Sequence, residues 1–448
     1  MDRSRRFQLN EDEILQLLTC EDSGGESDYE LDDEDEAFLD GDKIGEEVII
    51  DDAAAPEIPD DANEPCDELP MSSTDKFTWR KTFTPNSLKP VEYPYGRPKL
   101  CEIENCDPLM VFEKVCNLDQ LIELLISQSE LYMEQSGKPF STNSDEIKAF
   151  FGMNYIIGYH KLPSFRDYWS SHPSRQVPFI ANVMPRNRFQ YILSALHFAN
   201  NAEMLPRSDP GYDRGYKIRP VFEHLNSSFQ LAREPSKQQA IDEHMVKFKG
   251  RNSMKQYMKS KPIKWGFKIW CRCDSATGYL YQFDLYTGKT VYQEIGLGEG
   301  VLLMLSEPLK GLQCEVYIDN FFNSPVLQER LATLDILSCG TVRSNRKYMP
   351  KAFTSDKKMK RGDIENYSAD KVSCVKWMDN RAVMLLSNFI SPKEHIMVKR
   401  RKAGTADRIE VKCPEMVARY NKYMGGVDLM DQLKTSYQCD RKSTKNST

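Results

Sequence analysis

Three aspartates lie where solubility alone is a poor explanation for a carboxylate. Asp242 closes the apolar pair Ala240-Ile241, and Asp319 closes Val316-Tyr317-Ile318. Asp428 follows Met424-Gly425-Gly426-Val427 in a helical stretch, with Asp431 one turn further on. A carboxylate at the end of a buried strand is costly unless it is paired or metal-bound. Two such strand ends side by side, faced by a helical carboxylate, can hold two divalent ions. Ions ~3.5–4 Å apart stabilise the attacking and leaving oxygens of an in-line phosphoryl displacement. Carboxylates suit Mg2+, or Mn2+, because these are hard cations. The intervals of 77 and 109 residues are no motif by themselves, since 67 acidic residues offer many such triples.

Positioning those aspartates requires particular elements around them. Phe267–Cys271 and Tyr279–Phe283 are strand-like runs on either side of Asp274-Ser275-Ala276-Thr277-Gly278, a hairpin turn by composition. A helix-length stretch covers 291–309, and Cys314–Ile318 is a short buried strand ending on Asp319. Ser324 and Pro325 open a helix, and Ile336-Leu337 begin another strand. With the strand before Asp242, the order ββ-β-α-β-α-β is that of a ribonuclease-H-like mixed sheet in a multidomain α/β protein. The expected catalytic core is 237–343 plus 411–433, with 415–433 helical. It is split by an insertion at 344–410 that has its own apolar set, Val375, Trp377, Val383 and Leu385.

Upstream, 101–236 reads as an all-α domain. Leu118, Leu121, Ile122 and Leu125 share one helix face, Ser144 or Asn143 caps a second helix, and Pro185 opens a third. Residues 1–100 read as an acidic disordered tail and linker. Residues 1–70 hold 26 Asp+Glu against 4 Lys+Arg, whereas 71–448 hold 41 against 56. The net charge of −7 thus joins an acidic tail to a basic body, which suits a polyanion such as DNA. No apolar run approaches a membrane span, and the twelve cysteines show no Cys-x-x-Cys pair, so reduced thiols and a nuclear or cytosolic setting are expected. Cys271 and Cys273 alternate like a buried strand.

Several blocks carry a family resemblance. Ala240-Ile-Asp-Glu-His-Met-Val-Lys-Phe-Lys-Gly-Arg251, with Met254 to Lys268 after it, resembles the first catalytic block of piggyBac transposases. Tyr317-Ile-Asp-Asn-Phe-Phe-Asn-Ser-Pro325 resembles the second, and Tyr420-Asn-Lys-Tyr-Met-Gly-Gly-Val-Asp-Leu-Met-Asp-Gln432 the third. The likeness spans about 105–442. It implies that Asp242, Asp319 and Asp428 are catalytic and metal-binding, with Asp431 as a fourth acidic ligand. It also implies nicking at transposon ends, hairpin formation and integration at TTAA. After Arg441-Lys442 the family pattern continues into aromatic-rich helices and a zinc finger, whereas this chain runs on to Thr448. Residues 434–448 therefore read as a truncated C-terminal segment, which counts against full transposition.

Lys255, Lys261, Lys264 and Lys268 are candidate phosphate contacts. Lys399, Arg400, Arg401 and Lys402 form a basic run suited to nuclear import or DNA contact. Glu243 falls on the opposite strand face from Asp242, which argues against its being a metal ligand. Trp265 and Trp377 read as core. The resulting expectation is a nuclear, Mg2+- or Mn2+-dependent DNA transposase or domesticated derivative. It would act on double-stranded DNA as a homodimer, with no membrane and no small-molecule substrate. The alternative is a catalytically inactive nuclear DNA-binding or chromatin-associated protein on a transposase fold. A carboxylate-pair glycosidase loses for want of an aromatic sugar cleft.

Overall fold

The computed structural model describes residues 77–83, 91–100, 107–259, 261–288, 295–401 and 407–436. The acidic tail, most of its linker, part of 291–309, Lys402 and residues 437–448 lie outside the described residues.

The first layer is helical: α1 (Pro108–Cys116), α2 (Leu118–Gln135), α3 (Ser144–Tyr159), a short α4 (Pro178–Ala181), α5 (Arg186–Ala195) and α6 (Arg219–Ala232). Local chemistry sets where they start. Asp107 and Asn143 each accept a hydrogen bond from a backbone N–H three residues on, which satisfies an otherwise orphaned helix donor. Between the two capping options for α3, Asn143 takes the role. Ile122, Leu125, Ile147, Phe150, Met153, Phe189 and Ile192 are buried in one cluster, each supplied by a helix's apolar stripe. Arg188 of α5 donates to both carboxylate oxygens of Glu146 of α3, at 2.6 and 2.5 Å, so a charged fork also joins the two helices.

The second layer is a mixed sheet of nine strands. β1 (Gln238–Lys247), β2 (Gln256–Tyr257), β3 (Trp265–Asp274) and β4 (Leu280–Leu285) come first. After α7 (Leu297–Ser306) come β5 (Glu315–Ile318), α8 (Pro325–Thr333) and β6 (Leu337–Thr341), then β7 (Ile364–Ala369), β8 (Val372–Met378) and β9 (Ala382–Ser387). The strand order is β2-β3-β1-β5-β6-β9-β8-β7, with β4 also on β3. β3 runs antiparallel to β1 and β4, whereas β1, β5 and β6 are mutually parallel, the ribonuclease-H-like arrangement. The turn between β3 and β4 forms as its composition dictates. Asp274 Oδ1 accepts from the Ala276 and Thr277 amides, and Gly278 takes a φ of 70°. The strands of 344–410 do not all stand apart, because β9 pairs with β6 and β7–β9 thereby prolong the main sheet. β10 (His395–Arg401) and β11 (Arg408–Pro414) make a separate two-stranded ribbon.

β5 is buried on both faces, as a parallel strand between two layers must be. Val316 and Ile318 pack with Trp270, Val301, Leu305 and Leu327 on one side. Tyr317 packs with Cys339, Trp377, Met416 and Val417 on the other. At about 1.5–3 kcal/mol for each fully buried aliphatic side chain, this double packing fixes the strand that ends on Asp319. The helix expected over 415–433 is two helices, α9 (Glu415–Tyr423) and α10 (Gly426–Ser436). The second helix starts at Gly426, where the backbone approaches the sheet closely. A Cβ on Gly426 would stand 2.9 Å from the Asp274 carbonyl oxygen and 3.2 Å from the Ala240 Cβ, so only glycine lets α10 begin so close to β1 and β3. Trp377 is core, with its indole N–H donating to the Lys412 carbonyl. Trp265 is not core. It opens β3 at the outer end of the hairpin with β2, 42% exposed, and packs only on Tyr257 and beneath Lys255. No helix of the described residues is long and apolar enough to cross a membrane.

Candidate active site

The parallel register of β1 and β5 builds the site. Their pairing ends at Ile241 opposite Ile318, so Asp242 and Asp319 leave the ladder side by side. Asp319 is steadied by accepting from the Phe321 amide at 2.9 Å. Carboxylate oxygens of Asp242, Asp319 and Glu243 all lie within 4.8 Å of one another, the only such metal-competent group among the described residues.

Glu243, which the sequence reading left out of the metal ligands, lies inside this group. Strand alternation does place it opposite Trp270 while Asp242 opposes Cys271, so the two start on different faces. β5 stops at Ile318, however, which leaves the edge of β1 open beyond Ile241. The longer glutamate side chain reaches round that edge into the group. Its direction is set by two lysines: Lys261 Nζ lies 3.4 Å from Glu243 Oε1, and Lys268 Nζ lies 4.0 Å from Oε2.

Those lysines are not solvent-facing phosphate hooks. Lys268 is 5% exposed and lies over the rings of Trp270 and Phe321, at 3.9 and 5.0 Å, so it is a buried counter-charge. The misreading arose because Lys268 alternates with the apolar residues of β3, and a buried lysine and a solvated one look alike in sequence. Lys261 is half-buried, 3.5 Å from Asp242 Oδ2 and 3.3 Å from the Glu243 carbonyl oxygen. Lys264 is exposed, and Lys255 sits over Trp265, so these two remain on the outer face of the hairpin.

The electrostatics are sharply divided. Burial pushes the Asp242 carboxyl well above the carboxylate range, with Glu243 adding and Lys261 opposing. Burial raises Asp319 too, with help from Glu243. Burial acts on Glu243 in the same sense, yet Lys268 and Lys261 outweigh it and hold the group below its ordinary value. Lys261 is raised because Asp242, Glu243 and Asp428 together overcome its desolvation. For Lys268 desolvation wins, and its ammonium is lowered. Burial thus makes ionisation costly at Asp242, whereas the two lysines favour the carboxylate form of Glu243.

Asp428 and Asp431 approach on α10 and stand outside the 4.8 Å group. Asp428 is close enough to act on the Lys261 charge. Asp431 Oδ1 meets Nδ1 of His244, whose Nε2 lies 3.5 Å from Lys434 Nζ. His244 is two residues beyond Asp242 on the same strand face, so this pair straps α10 to β1 beside the cluster. The sequence offered a signal for it: His244 is at strand spacing from one aspartate and Asp431 at helical spacing from another. Farther off, on β10, Lys399 and Arg401 are exposed. Arg400 is already engaged, 3.3 Å from Asp379 and over the Trp377 ring.

A family model described as Transposase IS4 matches residues 107–448. Human piggyBac transposable element-derived protein 3 is 31% identical over 336 residues, covering 73% of this chain and 56% of that protein. The chain belongs to the piggyBac transposase family. Human piggyBac transposable element-derived protein 2 is another relative, 27% identical over 348 residues, covering 75% of this chain and 57% of its own length. The chain therefore spans about half the length of the curated relatives it matches. Among solved structures, a cryo-EM structure of a piggyBac transposase synaptic complex with hairpin DNA superposes with a TM-score of 0.64. It is 25% identical and covers 78% of this chain and 72% of that one.

Proposed function

We propose that the chain is a metal-dependent DNA-strand transferase that cleaves at transposon ends and joins to TTAA targets. Asp242, Asp319 and Asp428 would be its catalytic carboxylates. The observation that carries this reading is the half-buried carboxylate group of Asp242, Asp319 and Glu243 where β1 and β5 end together. Three hard oxygen donors suit Mg2+ or Mn2+. Asp242, Asp319 and Glu243 would hold the ion, with Asp428 on α10 near enough to act on Lys261 beside them. A divalent ion held there would favour the ionised carboxylates and could polarise a scissile phosphate.

The chain's own residues supply the rest. Lys268 keeps Glu243 ionised, and the strap between His244 and Asp431 holds α10 against β1. Lys255 and Lys264 on the exposed hairpin would meet DNA phosphates, which position the duplex without reading its sequence. Double-stranded DNA as substrate is supported by the superposable synaptic complex, which holds hairpin DNA. Action as a homodimer in the nucleus belongs to the same reading.

One observation favours a second reading, a DNA-binding protein that no longer cleaves. Asp431 is paired with His244, and neither it nor Asp428 is in the carboxylate group. Incubation of the full chain with a randomised duplex pool in Mg2+, followed by sequencing of the products, separates the two. Hairpin-capped ends and joins at TTAA support the transferase. Cleavage without TTAA joins removes the target assignment, and DNA retention without cleavage selects the second reading.

A further inference from the structure

Lys261 is in contact with two of the carboxylates and is only half-buried. Its Nζ stands 3.5 Å from Asp242 Oδ2, 3.4 Å from Glu243 Oε1 and 3.3 Å from the Glu243 carbonyl oxygen. These are longer than the roughly 2.7–2.9 Å of a strong charge-assisted hydrogen bond, so the ammonium is shared among three oxygens and tightly bound to none. Lys268 differs in every respect, since it is buried and held by two aromatic rings. The neighbours of Lys261 in the loop before β3, Lys259, Pro262 and Lys264, are exposed, so a route to solvent lies beside it.

We propose that Lys261 is the resident cation of this site, neutralising Asp242 and Glu243 until a divalent ion displaces it. The inference rests on the metal reading above. An ammonium and a metal compete for the same oxygen lone pairs, whereas Lys268, held away on the Trp270 face, is compatible with both states. Displacement moves a positive charge from the carboxylates toward the exposed lysines of the hairpin, the strip assigned to DNA phosphate. Metal entry and the charge presented to DNA are thereby coupled through one side chain.

The experiment uses the full chain and Mn2+ alone as the probe. Calorimetry gives the affinity, and thermal unfolding with and without Mn2+ gives a second readout. Lys261→Gln is expected to bind Mn2+ about tenfold tighter than wild type, the order of one displaced ion pair at this depth. It should also melt lower in EDTA and gain more from Mn2+. Lys261→Arg, which keeps the cation, should bind no tighter than wild type. Lys261→Met supplies the same test should the glutamine variant fail to fold. Equal or weaker Mn2+ affinity in the charge-removing variants, with binding still lost in Asp319→Asn, overturns the role of Lys261 alone. Binding that survives Asp319→Asn unchanged overturns the metal site itself.

Discussion

Glu243→Gln removes the carboxylate that faces Lys268 and leaves an ammonium that is 5% exposed without its counter-charge. Breaking a buried ion pair from one side costs about 3–5 kcal/mol, because the surviving charge stays desolvated. Two features place this case at or below the low end. The separation is 4.0 Å, and the ammonium keeps its seat over the Trp270 and Phe321 rings, which return up to about 2 kcal/mol. The expected loss is therefore about 2–3 kcal/mol. Lys268→Met alone should cost less, about 1 kcal/mol, because Lys261 still neutralises Glu243. The double variant should return close to wild type, since replacing both members of a buried pair with neutral groups is often nearly neutral. Urea unfolding in EDTA, with unchanged slope, gives these values and their coupling. A loss under about 1 kcal/mol for Glu243→Gln, or additive single changes, would refute the buried counter-charge.

Other consequences are independent of that pair. A Cβ on Gly340 would lie 2.3 Å from the Ile318 carbonyl oxygen, beside Asp319, so Gly340→Ala should cost more than about 3 kcal/mol. By contrast Gly152→Ala, inside α3 with nothing within 4 Å, should stabilise by about 0.5–1 kcal/mol; thermal midpoints compare the two. Arg188 holds the Glu146 carboxyl below its ordinary value. That stabilisation is present above the unfolded-state pKa of about 4.3 and is lost as pH falls through the folded-state value. The stability difference between wild type and Arg188→Met should accordingly shrink under acid, and a constant difference from pH 7 to pH 3 would deny the linkage. Lys255→Ala and Lys264→Ala should each weaken DNA binding uniformly across sequences and reduce the salt slope by about 0.9, read from binding isotherms across a salt series. An unchanged slope would take these lysines off the DNA.

Much of the framework was legible because local chemistry and tertiary packing agree there. The Asn143 and Ser324 caps, the turn at Asp274 and the double burial of β5 each follow from a few adjacent residues. The side-by-side exit of Asp242 and Asp319 was legible as two strand ends, though their register is set by the parallel pairing. Strand alternation gave the right face for Glu243 but not its nearness to Asp242 and Asp319, because period two says nothing about where a neighbouring strand stops. Lys268 was misplaced since its cost of burial is met by Glu243 and two aromatic rings that are distant or inconspicuous in the chain. The break at Gly425-Gly426 was read as a family motif. Its physical meaning, a close helix approach, appears only when Asp274 and Ala240 stand opposite.

Metal-dependent nicking of supercoiled plasmid tests the carboxylate site most directly, measured for wild type, Asp242→Asn and Asp319→Asn with thermal midpoints recorded alongside. The expected result is nicking by wild type in Mg2+ or Mn2+, none in EDTA, and a loss of at least about a thousandfold in either folded variant, on the order of what the two-carboxylate metal clamp contributes. Nicking that persists in both variants, or a wild-type chain that binds DNA and metal yet never nicks it, would contradict the assignment.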